Sequence, residues 1–193
     1  MNNLISQLRI SLVATIALAV ILCGVYPALI WGIAQALFPD KANGSLIMWN
    51  GQTIGSKLIA QNFTDAKYFH PRPSSAGDAG YDATSSGGSN LGPTSKKLID
   101  LVKERVDKYR SENNLSPKAL VPADAVTSSA SGLDPHISLK NALLQAPRVA
   151  KTRGIDEKVL VEKIQANTEG RDWGIFGDPR INVLTLNLSL DAS

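Results

Sequence analysis

The chain of 193 residues and 20.6 kDa suits one domain of ordinary size, or a smaller one with a segment appended, and excludes a large multidomain enzyme. Twenty Lys and Arg against seventeen Asp and Glu leave a net charge of +3, too small and too scattered for a nucleic-acid surface, so no nucleic acid is expected as a partner. Cys23 is the single cysteine, which excludes an internal disulfide and a zinc site of the CxxC kind, and no metal ligands are assigned.

Charge is unevenly distributed, with Arg9 the only charged residue before Asp40. Between them, Ile10 to Phe38 run for 29 residues without a charge. At about 1.5 Å per residue, a helix of that length exceeds the ~30 Å hydrocarbon core of a bilayer. The predicted organisation is a short cytoplasmic N-terminus at 1–9, a transmembrane helix at 10–36 and a soluble α+β domain at 40–193. A cleaved signal peptide is the rival, because Ala34-Gln35-Ala36 has the A-x-A form; the apolar run is, however, about twice as long as a secretory h-region. Gly24, Ala28 and Gly32 recur at every fourth position and predict a stripe for close approach of a second helix, with Pro27 beside it as a kink site. Positive charge is scarce on both flanks; the short N-terminal segment is expected inside and the soluble domain on the periplasmic or outer side, as a single-pass protein of the cell inner membrane.

Past Pro39 the pattern changes to short strands, turns and helices. Ser45–Trp49 and Gln52–Ser56 flank Asn50-Gly51, a type I′ turn dipeptide, and predict a β-hairpin whose second arm continues through Lys57–Phe63. His70 to Pro93 is rich in Pro, Gly, Ser and Asp and predicts a long loop, functional or disordered. A helix follows over Thr94–Glu112, with Leu98, Leu101, Val102, Val106 and Tyr109 inward. Another is predicted over Ser138–Arg153, closed at Gly154, with Leu139, Ala142, Leu143 and Val149 buried and Pro147 disturbing its middle. A third spans Asp156–Thr168 and buries Val159, Leu160 and Ile164. Leu184, Leu186, Leu188 and Leu190 alternate with polar residues and predict a half-buried strand.

Chemistry is sparse. Ser86, Gly87, Gly88, Ser89 and Asn90 lead into the helix that carries Lys96 and Lys97, an arrangement able to hold an anion or nucleotide phosphate through free amides. The stretch lacks the spacing of a P-loop, and an ordered structural or subunit-contact loop is the competing reading. Asp65, Asp78, Asp82 and Asp134 supply carboxylates, but no catalytic motif joins them. His70 and His136 stand in no ligand spacing, and Asp134-Pro135-His136 reads as an Asx turn that sets the approach to the next helix.

The segments GVYP (24–27), NGSLI (43–47), QNFTDAKYFHPRPS (61–74), SGGSNLGP (86–93), SGLDPHIS (131–138) and PRVAKTRG (147–154) resemble, in order and along most of the chain, the C subunit of the bacterial potassium-transporting Kdp ATPase. Ala60 and Pro71 depart from that pattern, which has or admits glycine at both places. The resemblance implies a non-catalytic accessory subunit of a P-type ATPase. Its partners would be a potassium-conducting subunit, an ATP-hydrolysing subunit and a small lipid-like subunit. It also implies a catalytic-chaperone role that raises the ATP affinity of the hydrolysing subunit, with ATP reached, if at all, through Ser86–Asn90 and with no cofactor of its own. An outer domain cannot touch cytoplasmic nucleotide, so the role expected here is to cap the conducting subunit and stabilise assembly, with Asp78 and Asp82 steering K⁺ by screened attraction. The alternatives are a membrane-tethered nucleotide- or anion-binding module and a tethered outer enzyme using Asp134 or His136.

Overall fold

In a computed structural model describing residues 2–192, the chain divides into two units, Met1–Ile54 and Gly55–Ser193. The first is dominated by the apolar stretch, which is helical from α1 (Asn2–Ala19) through a π segment (Val20–Val25) to α2 (Tyr26–Leu37). Asn3–Leu37, whose most apolar 18-residue window has a mean hydropathy of 2.4 and is not buried, is the one helix among the described residues long and apolar enough to cross a membrane. The π segment sits just before Pro27, which has no N–H and whose ring would press on the preceding turn. Widening that turn, with Tyr26 N–H donating to the Ile21 carbonyl five residues back, keeps the helix continuous.

Phe38, at φ −138°, ends α2, and Pro39 opens the single turn α3 (Pro39–Ala42). Strands β1 (Leu46–Trp49) and β2 (Gln52–Ser56) then form the predicted hairpin, with Asn50 and Gly51 at φ 49° and 79° as a type I′ turn requires. The second arm stops at Ser56; the chain turns at once, and Lys57–Phe63 is not strand.

In the second unit, α4 (Lys96–Glu112), α5 (Leu139–Arg153), α6 (Glu157–Ala166) and α7 (Val183–Asp191) accompany a three-stranded antiparallel sheet. Its order is β3 (His136–Ser138), β5 (Arg180–Asn182), β4 (Thr168–Glu169), with Ile137 opposite Ile181 and Thr168 opposite Ile181 on the other edge. None of these three strands is predicted from the sequence. The helices obey their caps: the Ser138 side chain accepts from Asn141 N–H, Asp156 from Lys158 N–H and Asn182 from Thr185 N–H. Gly154, at φ 68°, closes α5 with its own N–H and that of Ile155 both on the Ala150 carbonyl.

Three expectations need correction. The leucine-rich segment predicted as a strand is α7, because its buried residues Val183, Leu186, Asn187 and Leu190 recur at helical spacing and the Asn182 cap starts a helix. Pro147 leaves α5 unbroken at the cost of the helical hydrogen bond to the Leu143 carbonyl, and Leu143 is itself exposed. Leu143 and Val159 therefore lie outside the core, which gathers Phe69, Ile137, Ala142, Ala146, Val149, Leu160, Ile164, Ile181, Leu186 and Leu190. On α4 only Tyr109 is fully buried.

Candidate functional site

Phe69 and His70 belong to no strand, yet their backbone is held as if between two. The Asn187 amide accepts from Phe69 N–H at 2.8 Å and donates to its carbonyl at 3.0 Å. The Gln145 amide does the same for His70, at 2.7 and 3.2 Å. Successive residues of extended chain point their polar groups to opposite sides, so amides on α7 and α5 replace the two missing ladders. Phe69 is thereby driven fully into the core.

Beneath this segment lies Arg148, 7% exposed. Its Nε donates to Asn113 Oδ1 (3.0 Å), one terminal nitrogen to the Ala66 and Tyr68 carbonyls (2.6 and 3.0 Å), and the other to Gln145 Oε1 (2.8 Å). The planar fork thus ties the 66–70 segment to α4 and α5. Burial lowers the Arg148 pKa, with Glu112 and Tyr109 pulling the other way.

Above it opens a cavity of about 290 Å³, lined by Phe63, His70, Tyr81, Arg105, Tyr109 and Glu112 among others. Burial pushes the Tyr81 phenol up to about 12 and raises Tyr109 as well. His70 is driven below its ordinary 6.5 by burial and by the Arg148 charge, against the Asp65 carbonyl and Glu112 at 3.7 Å. Its floor is already satisfied: Tyr109 Oη donates to Asn141 Oδ1, which also accepts from Gln145.

Asp134 does form the predicted Asx turn, accepting from His136 N–H at 3.0 Å. It also receives Arg72 at 2.8 Å and faces the His136 ring at 3.2 Å. Burial opposes the Asp134 charge, but the His136 and Arg72 hydrogen bonds outweigh it and hold the carboxyl at about 2. An unfolded Asp takes its proton near 3.8, so this stabilisation is complete above 3.8 and is lost as pH falls through 2. His70 acts with the same sign below 6.5, where the unfolded chain binds the proton first. The expected result is that parent and Asp134→Asn differ by about 2 kcal/mol in urea unfolding at pH 5, a gap that closes toward pH 2. A gap independent of pH would disprove the assignment.

The Ser86–Asn90 loop is ordered without regular structure. Ser86 Oγ and Gly87 N–H both donate to the Ser131 carbonyl, at 3.0 and 2.9 Å. Gly132, at φ 68°, faces the Gly87 carbonyl and Ala76 N–H so closely that a Cβ would sit 2.6 and 2.7 Å from them. A Cβ on Gly88 would come within 3.0 Å of the Ala130 carbonyl. Ser74 seals the upstream turn, donating to the Gly132 carbonyl and accepting from the Ala76 and Tyr81 N–H groups. Ser89 and Asn90 remain exposed, and the Ser95 hydroxyl does not cap α4. Asp78 and Asp82 are exposed as well, and hydrogen bonds from Thr84 lower the Asp82 pKa.

The residues the sequence singled out thus fall in separate places: Ser86–Asn90 against 129–132, Asp134 and His136 with Arg72, and His70 over Arg148. Gln145 and Arg148 escaped notice because each reads locally as an unremarkable helix position, and Asn187 because it fell among the polar residues of the predicted strand. Among the described residues no group of three or more His, Cys, Asp or Glu side chains could hold a metal.

Comparison with known proteins accounts for the whole chain. The family described as the K⁺-transporting ATPase, c chain, matches residues 8–192. The potassium-transporting ATPase KdpC subunit of Nitratidesulfovibrio vulgaris is 53% identical, covering 98% of this chain and 95% of that protein. The KdpC subunits of Mycobacterium bovis (96% and 97% covered) and Koribacter versatilis (100% and 95%) are 55% and 50% identical. Matches of this extent run through the apolar helix, the 61–74 segment and the α5 cage alike, and the chain belongs to the family of the C chain of the K⁺-transporting ATPase.

Proposed function

We propose that the chain is a non-catalytic accessory subunit of a potassium-importing P-type ATPase. Its N-terminal helix stays in the membrane, and its soluble unit lies on the outer side, where it caps the ion-conducting subunit and stabilises the assembly. The observation that carries this reading is how the polar groups are used. Asp134 is taken up by Arg72 and His136, and Ser86 and Gly87 donate to Ser131, so these side chains, which might have done chemistry, instead fix the shape of a surface. The acidic residues exposed on that surface, Asp78 and Asp82, offer incoming K⁺ a weak, salt-screened attraction.

The side of the membrane decides the matter. With Cys23→Ala as background, a single cysteine at Ser89 in the full chain is expected to react with a membrane-impermeant maleimide in intact cells. Reaction only after lysis would place the unit in the cytoplasm and end the capping role.

A second reading has its own support. Ser89 and Asn90 stay exposed ahead of an α4 first turn that carries Lys96 and Lys97 and lacks a side-chain cap, the makings of a contact for a nucleotide phosphate. In that case the chain assists the hydrolysing subunit as a chaperone for ATP, and a photoreactive ATP analogue would label Ser86–Asn90 in the assembled complex. Absence of label there removes it.

A further inference from the structure

Between β4 and β5 the chain makes a tip that turns its apolar side chains outward: Trp173 is 90% exposed, Ile175 71% and Phe176 59%. Trp173 is the most exposed large hydrophobic residue among those described. A mobile loop would explain such exposure, but this tip is built stiff. Asp172 and Phe176 exchange two backbone hydrogen bonds, at 2.9 and 3.0 Å, and Gly174 and Ile175 N–H donate back to the Arg171 and Asp172 carbonyls. Trp173, Gly174 and Gly177 all adopt positive φ, so a bulky indole accepts a backbone strain normally left to glycine. That strain points the ring outward, edge-on to Phe176 with centroids 6.0 Å apart.

Ion pairs brace the base. Arg180 bridges Glu169 at 3.1 Å and Asp172 at 3.4 Å, and Arg171 meets Asp178 at 3.3 Å. Three carboxylates against two guanidiniums leave the hairpin one negative charge, with Asp178 91% and Asp172 67% exposed beside the rings. A preorganised Trp–Phe–Ile cluster within a charged rim is the anatomy of a protein-binding hot spot, in which a rigid aromatic enters a socket and the rim excludes water. One net negative charge gives the tip no electrostatic gain at an anionic bilayer surface, whereas a basic rim on a protein would complement it.

We infer that residues 171–178 are a docking knob, with Trp173 as the anchor, for an apolar socket with a basic rim on another protein subunit of the same ATPase. The inference rests on the accessory-subunit reading and adds to it the contact that holds the soluble unit in place.

The test uses the full chain coexpressed with the other subunits and recovered through a tag on the hydrolysing subunit, with the dissociation rate of the chain as readout. Trp173→Ala is expected to raise that rate about 30-fold or more, the effect of losing a hot-spot aromatic. Asp178→Lys is expected to raise it several-fold, the more so at low salt. Leu120→Ala, exposed elsewhere in the same unit, leaves it unchanged. Circular dichroism of the Trp173→Ala chain should match the parent, since the ring contacts only Phe176 among the aromatic side chains. Two results overturn the knob while leaving the subunit reading intact: Trp173→Ala dissociating at the parental rate, or Trp173 of the Trp31→Phe/Trp49→Phe chain being quenched by brominated lipid in the assembled complex. Failure of the parent chain to copurify would overturn both.

Discussion

Arg148→Met should lower the melting temperature of the full chain in detergent by roughly 10 °C, the equivalent of about 3 to 5 kcal/mol. The substitution frees a guanidinium from its burial penalty, and methionine fills much of the same volume, so some of the loss is offset. What remains is the larger effect. The Ala66 and Tyr68 carbonyls and Asn113 Oδ1 lose a donor in a place water reaches poorly, at about 1 to 3 kcal/mol for each group left unmet. Arg148→Lys should recover less than half, because one ammonium cannot span acceptors that a planar fork reaches from three nitrogens. Loss should show first as exchange of the His70 amide, whose Gln145 partner is itself oriented by Arg148. Melting within about 2 °C of the parent would mean that the cage adds geometry but no stability.

Gly132→Ala should be nearly as damaging, by about 3 kcal/mol or more, and for a different reason. An alanine at φ 68° costs about 1 kcal/mol wherever it occurs. Gly154 measures that cost alone, since it has the same φ and nothing within 4 Å of an added Cβ. At Gly132 the new atom meets two backbone groups, the Gly87 carbonyl and the Ala76 N–H. Neither can rotate away, so the Ser86–Asn90 loop must lift from 129–132 or the Ser74 turn must open. Amide exchange at Gly87 and Asp82 should rise by a hundredfold or more in Gly132→Ala and stay parental in Gly154→Ala. Equal effects of the two substitutions would show that close packing of the loop contributes nothing.

What could be read from the sequence was whatever repeats locally. The Asn50-Gly51 turn and the Gly154 stop act within a few residues, and α4, α5 and α6 lie within about two residues of their predicted spans, apart from the last turn of α6. The sheet was invisible because strands of two or three residues carry no period. In α7 the alternating leucines mimicked a strand, and the deciding signal was polar: Asn187 is buried because it serves the Phe69 backbone. The same holds at the site. The Ser86–Asn90 loop could be recognised by composition and Asp134 by its turn, yet their partners Ser131 and Arg72 lie 45 and 62 positions away. Nothing within a window of a dozen residues foretells such pairings.

The amide clamps on Phe69 and His70 also set the order in which the soluble unit can acquire its shape. One jaw, Asn187, follows its client by 118 positions, and Asn182 anchors the Lys57 carbonyl across 125. Until α7 has emerged from the ribosome and joined the rest, Phe69 has no seat and the early half of this unit is a chain without an interior. A polypeptide that stays loose until so late acquires its final surface only once the whole of it has been made.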